Sequence, residues 1–219
     1  FAFYLAAVPA YGAQPSLLFG FLFLLDTGLL ALALARRQGV LHAVGAAATL
    51  LVSATWLSSS YPRSGGGLAA VAFMALFSVF YVASPLLAAR LKRPLTGVAA
   101  QAHFAGPLLL AAFPVLAAIE PAFVAPWPLM GALLGLVVFI AWRASTANVG
   151  SLYYIAAFFA IATQAVWSAG HLTGDRLGTA VLIYTAFGLV SLGVPVAARR
   201  AGRALAPAWG SGAVLLVGL

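Results

Sequence analysis

Seven apolar stretches run along the chain, each about 20 residues long, and most of the basic residues fall in alternate gaps between them. The stretches are Ser16–Ala35, Val40–Leu57, Leu68–Ala89, Val98–Ile119, Trp127–Trp142, Asn148–Ala169 and Leu177–Ala198. A helix of that length crosses the hydrocarbon core of a bilayer, because it rises about 1.5 Å per residue and the core is about 30 Å thick. Two shorter apolar runs, Phe1–Pro9 and Gly210–Leu219, read as pieces of further spans at the two ends. The expectation is one transmembrane helical domain over residues 1–219, cut from a longer chain.

Composition narrows the solvent to lipid. Hydrophobic residues make up 64% of the sequence and charged residues 6%, too apolar a balance for a water-soluble domain of this length. Barrel strands alternate polar and apolar residues, whereas these runs are apolar on all sides. In lipid every backbone amide needs an internal partner, so the fold class is all-α, a polytopic helix bundle. With no cysteine and three scattered histidines, neither disulfides nor a metal site is expected, and no cofactor is called for.

The net charge of +8 does not point to nucleic acid, because the basic residues sit at helix ends. Nine of the 11 fall after spans one, three, five and seven, while the loop acids Glu120 and Asp175 lie in the other gaps. By the positive-inside rule the Arg-rich gaps are cytoplasmic and the first span runs inward. The expected location is the bacterial inner membrane, and the expected partners are membrane lipids and other membrane subunits. Arg36, Arg37, Arg90, Lys92, Arg93, Arg199, Arg200 and Arg203 set the topology, and they are also candidates for anionic headgroup contacts. Trp56, Trp127 and Trp167 fall at the predicted outer boundary and Trp142 at the inner one, as interfacial rings do.

An internal repeat is visible. Phe77, Pro85, Arg90 and Arg93 recur at Phe187, Pro195, Arg200 and Arg203, all offset by 110. Trp56 and Trp167 precede their respective copies at nearly the same distance. Repeat units of about 16–119 and 127–219 follow, with spans two and three matching six and seven. Four spans separate the copies, so the two would share one orientation. The competing reading is convergence on a common stop pattern, proline then arginine at a helix end.

Asp26 is the sharpest chemical signal, an acid near the middle of the first span. Such a residue costs about 2.5–3.5 kcal/mol on insertion scales and ordinarily faces a bundle interior or a wet cavity. Its partners must come from other helices, and Ser53, Ser78, Tyr81 and Gln164 are the candidates. Two roles remain open: a proton or cation relay, and a neutral acid tying helices together. Gln101 and His103, with Pro107 and Pro114 beyond them, suggest a kinked fourth span with a secondary cavity. His42 and His171 lie near interfaces, where hydration is expected. Gly131 and Gly135 form a GxxxG pair, and the Tyr153–Tyr154 pair reads as interface anchoring.

Catalytic groupings are missing. The three acids are far apart in sequence, and no metalloprotease, serine-hydrolase or nucleotide-binding motif occurs. The leading expectation is therefore a non-enzymatic membrane protein: a scaffold, an accessory subunit, or a binder of lipid or another apolar ligand. The alternative is a small-solute or proton-coupled transporter using Asp26. An intramembrane enzyme acting on a lipid-linked substrate ranks third.

The segment Pro15–Gly39, PSLLFGFLFLLDTGLLALALARRQG, resembles part of a large family of many-spanning bacterial membrane proteins described as a predicted membrane protein domain of unknown function. The stretch from Gln164 through Trp167, Gly170, His171, Leu172, Thr173, Arg176, Tyr184, Phe187 and Pro195 to Arg200 resembles another part of it. The resemblance implies an all-helical inner-membrane protein, with relatives longer than this chain, and carries no activity with it.

Overall fold

The structure is a computed structural model, and it describes residues 14–61, 66–203, 205–206 and 210. The runs at the two ends read as partial spans lie almost wholly outside the described residues. Helices α1 (Pro15–Arg36), α2 (Val40–Ser59) and α3 (Gly67–Arg90) come first. The fourth span follows as α4 (Val98–Gln101), a 3-10 turn, α5 (Ala105–Leu109) and α6 (Ala112–Ile119). Then come α7 (Trp127–Ala147), α8 (Gly150–His171) and α9 (Leu177–Arg200). No strand occurs among the described residues, and seven segments are long and apolar enough to cross a membrane.

Helix starts and stops follow local chemistry. Pro15 opens α1, where its missing N–H costs nothing. Pro107 and Pro114 explain the broken fourth span. Each lacks an N–H and crowds the carbonyl four residues before it, at His103 and Leu110. The chain is 3-10 at Ala102–Phe104, and it leaves the α-helix at Leu110–Ala111. The fifth span extends past its expected end at Trp142 to Ala147. Arg143 does not stop it: the side chain is buried and donates from Nη1 to Thr146 Oγ1 at 2.8 Å. Its charge is housed along the helix instead of ending it.

The chain divides into two compact units, residues 1–112 and 113–219. The boundary falls inside the fourth span rather than in the loop after it. In unit 1, α1, α2 and α3 enclose an aromatic core. Phe19 meets Trp56 edge-on at 5.0 Å and Phe77 at 6.2 Å, and Trp56 meets Tyr61 at 5.2 Å. In unit 2, Trp167 on α8 donates its indole N–H to the Phe123 carbonyl at 3.0 Å.

These contacts correct part of the interfacial reading. Trp56 and Trp167 are fully buried, whereas Trp127 and Trp142 are half exposed. The two buried indoles fill space inside their own units, so they are core residues near helix ends rather than membrane anchors. Tyr153 is likewise fully buried, and its neighbour Tyr154 donates to the Leu205 carbonyl at 3.0 Å. A methyl group at Gly131 or Gly135 would meet nothing within 4 Å, so the GxxxG pair makes no close helix contact here. Close approach occurs instead at Gly39, Gly45, Gly106 and Gly150.

The residues that match between α3 and α9 also share a backbone pattern. At the end of α3 the amides of Leu91, Lys92 and Arg93 bond the carbonyls of Leu87, Ala89 and Ala88. At the end of α9 the amides of Ala201, Gly202 and Arg203 bond those of Ala197, Arg199 and Ala198, each offset by 110. Lys92 and Gly202 both adopt the left-handed conformation that this helix stop requires. Helices α1 and α7 end in the same way, with Arg37 and Asn148 left-handed.

Candidate functional site

The acid singled out in the sequence lies inside unit 1. Asp26 is 2% exposed on α1, and two hydroxyls converge on one of its oxygens. Thr49 on α2 donates to Oδ2 at 2.5 Å, and Tyr81 on α3 donates to the same atom at 2.6 Å. The two hydroxyl oxygens are 3.2 Å apart. With both protons directed at Asp26, that separation is a contact between donors rather than a third hydrogen bond.

The other carboxylate oxygen, Oδ1, rests against α2 at Gly45. A Cβ built there would lie 2.9 Å from Oδ1 and 3.2 Å from Leu29 Cδ1. The missing side chain lets the carboxylate settle against the helix surface. Gly45 stands one turn before Thr49, so a single face of α2 supplies both the space and a donor.

A second polar group adjoins the first through Tyr81. Pro85 lies inside α3 and leaves the carbonyl of Tyr81, four residues earlier, without its helical amide. Ser84 fills the gap, donating from Oγ to the Tyr81 carbonyl at 2.9 Å. Serine beside proline restores backbone pairing where no water is available. The His42 ring meets the same hydroxyl, with Nε2 2.9 Å from Ser84 Oγ. His42 lies tilted against the Tyr81 ring at 5.4 Å.

Of the candidate partners for Asp26, the structure brings in only Tyr81. Ser53 is buried beside Thr49 on α2, and its hydroxyl has no hydrogen-bond partner among the described residues. Ser78 instead donates to the Gly106 carbonyl at 2.9 Å, joining α3 to α5. Gln164 belongs to unit 2, where its amide donates to the Ala160 carbonyl on its own helix at 3.1 Å. Gln101 is exposed, and His103 is half-buried with its ring 4.5 Å from Phe104.

One expectation for histidine is corrected. His42 is 1% exposed, held by Ser84 and two aromatic rings, and is not hydrated. The His171 ring, half-buried, has Nε2 3.2 Å from the Ala117 carbonyl. The basic residues Arg36, Arg37, Arg90, Lys92, Arg93, Arg199, Arg200 and Arg203 are all exposed at helix ends.

Sequence reading missed Thr49, Gly45 and Ser84. The signal for Ser84 was its place directly before a mid-helix proline. Thr49 carried only a weak one, because threonines in spans commonly bond their own helix, as Thr163 does to Phe159 at 2.6 Å.

Among the described residues no cluster of histidine and carboxylate side chains could hold a metal ion. The Asp26 group can donate, accept and share protons, and it links three helices in doing so. Seven apolar helices with such a buried polar core define a multi-pass α-helical membrane protein. A family model described as "Predicted membrane protein (DUF2339)" matches residues 8–219, and the chain belongs to that family. No curated protein and no solved structure matches the chain.

Proposed function

We propose that this protein is a non-enzymatic inner-membrane component, a scaffold or accessory subunit whose outward apolar faces bind lipid or partner helices, with its Arg-bearing ends in the cytoplasm. The observation that carries this reading is the commitment of Asp26. Its carboxylate is buried and receives two hydroxyls from neighbouring helices, the arrangement of an interhelical clamp. Large side chains such as Leu24, Leu51, Val181 and Leu189 face outward, which suits contact with lipid or other spans. Purification from native membranes in a mild detergent tests the proposal. Co-elution with a stoichiometric partner or retained lipid is expected, and an isolated monomer carrying neither would overturn it.

One observation favours a second reading, proton-coupled transport. Tyr81 touches Asp26 through its hydroxyl and Ser84 through its carbonyl, and Ser84 in turn meets His42 near the start of α2. A polar line thus runs from the middle of unit 1 toward its Arg-rich end. In proteoliposomes holding a pH-sensitive dye, Asp26→Asn would then abolish a proton flux seen with wild type. Equal flux from both proteins rejects the relay.

A further inference from the structure

We propose that the Arg-rich end of unit 1 binds the phosphate of an anionic lipid headgroup, held by Arg37, Lys92 and Arg93 around a cavity of about 390 Å³. The cavity lies between the turn that ends α1 and the turn that ends α3. Arg93 donates from Nη1 to the Leu34 carbonyl at 2.7 Å and so fixes the two turns together. Gly39 and Ala99 close the adjoining wall, where a Cβ on the glycine would come within 2.5 Å of the alanine methyl. Two guanidinium groups and an ammonium beside Ala33, Leu34 and Pro94 offer phosphate donors next to an apolar wall.

Unit 1 offers no carboxylate to this cluster. Residues 1–112 contain a single acid, Asp26, and that carboxylate is buried with two hydroxyls on Oδ2. A negative partner must come from outside unit 1, and at helix ends near the headgroup level the most abundant source is lipid.

The second unit supplies an internal control. It builds the same two turns with Asn148 and Gly202 at the left-handed positions, residues that take this conformation readily. Unit 1 places Arg37 and Lys92 there instead, each at φ 56. Topology needs positive charge somewhere in the loop, and the neighbouring Gln38 could have carried it at an ordinary φ. Setting cations at two left-handed backbone positions, where a side chain is unfavourable, fits a requirement for charge at those points.

The site rests on the membrane-embedded reading above but not on any scaffold partner. The test uses the full chain in uncharged detergent micelles, with lipid binding followed by native mass spectrometry. The probes are phosphatidylglycerol, phosphatidylcholine and inorganic phosphate. The variant is R37N with K92G, which installs the residues of unit 2 and so keeps the turns. Wild type is expected to bind phosphatidylglycerol at least tenfold more tightly than phosphatidylcholine. The double variant is expected to lose that preference while melting at the wild-type temperature or above it. Equal phosphatidylglycerol binding by both proteins overturns the site. Displacement of phosphatidylglycerol by equimolar inorganic phosphate overturns the lipid as its source. A partner that still co-purifies with the double variant leaves the scaffold reading standing, whatever the lipid result.

Discussion

Tyr81 donates its hydroxyl to Asp26 Oδ2 across 2.6 Å, joining α3 to α1 inside unit 1. Thr49 makes the same bond from α2, so one oxygen atom ties three helices. Removing the acceptor differs physically from removing one donor. Tyr81→Phe and Thr49→Val each delete a single hydroxyl and are expected to cost about 0.5–2 kcal/mol, the span covered by interhelical hydrogen bonds in membranes and buried ones in general. Asp26→Asn keeps an oxygen acceptor and is expected to cost less than Asp26→Leu, which strands both hydroxyls. Thermal unfolding in detergent gives the order, and an Asp26→Leu protein as stable as Asp26→Asn would show that the clamp holds nothing.

Glycine packing supplies a second prediction. Gly45→Ala drives a methyl group to within 2.9 Å of Asp26 Oδ1, and Gly106→Ala drives one to within 2.8 Å of the Ser78 carbonyl and against Val82. Both are expected to destabilise by about 1–3 kcal/mol, the usual cost of overpacking. Gly106→Ala is expected to be the worse, because backbone yields less than a side chain. Gly20→Ala and Gly28→Ala meet nothing within 4 Å on α1 and are expected to be neutral or to stabilise by up to about 1 kcal/mol through helix propensity. The four melting temperatures, measured together, check the order.

Much of the fold was legible because the bilayer enforces it. Span length and alternating charge left little freedom, and the helices start and stop within a few residues of expectation, except at Arg143. That miss has a physical cause: an arginine within reach of Thr146 can fold back along its helix, and sequence alone does not show the reach. At the site, depth was legible and identity was not. Asp26 announced itself by its cost in lipid, and Tyr81 by lying at similar depth. Which polar residue faces it depends on helix rotation, and the close approach of Asp26 to Gly45 that goes with this rotation is seen only in the packed structure. Trp56 and Trp167 were misplaced for the same reason, since an indole near a helix end looks alike in sequence whether it faces headgroups or core.

The left-handed helix stops carry a third prediction. A non-glycine residue in this conformation costs roughly 1–2 kcal/mol. Lys92→Gly is therefore expected to raise stability, and Gly202→Ala to lower it by a similar amount, although a methyl at Gly202 meets nothing within 4 Å. Gly97, at φ 58 and ψ −132, occupies a region that side chains avoid more strongly, so Gly97→Ala is expected to lower stability more than Gly202→Ala. Chemical denaturation of the three variants would decide it, and a destabilised Lys92→Gly would mean that the lysine holds the fold through contacts of its own.

Sidedness can be tested cleanly because the sequence contains no cysteine. The Arg93 guanidinium reaches the Leu34 carbonyl on the last turn of α1, so the ends of α1 and α3 lie together. Single cysteines introduced at Arg36 and Lys92 must therefore react from one face of the membrane, and by the positive-inside rule that face is expected to be the cytoplasmic one. Cysteines at Glu120 and Asp175, in the loops poor in arginine, are expected to react from the other. An impermeant maleimide applied to intact spheroplasts should label the second pair and spare the first, with both pairs labelled after lysis. Labelling of Arg36→Cys in intact cells would reverse the orientation. Labelling of Arg36→Cys without Lys92→Cys would break the pairing of helix ends on which the organisation of unit 1 depends.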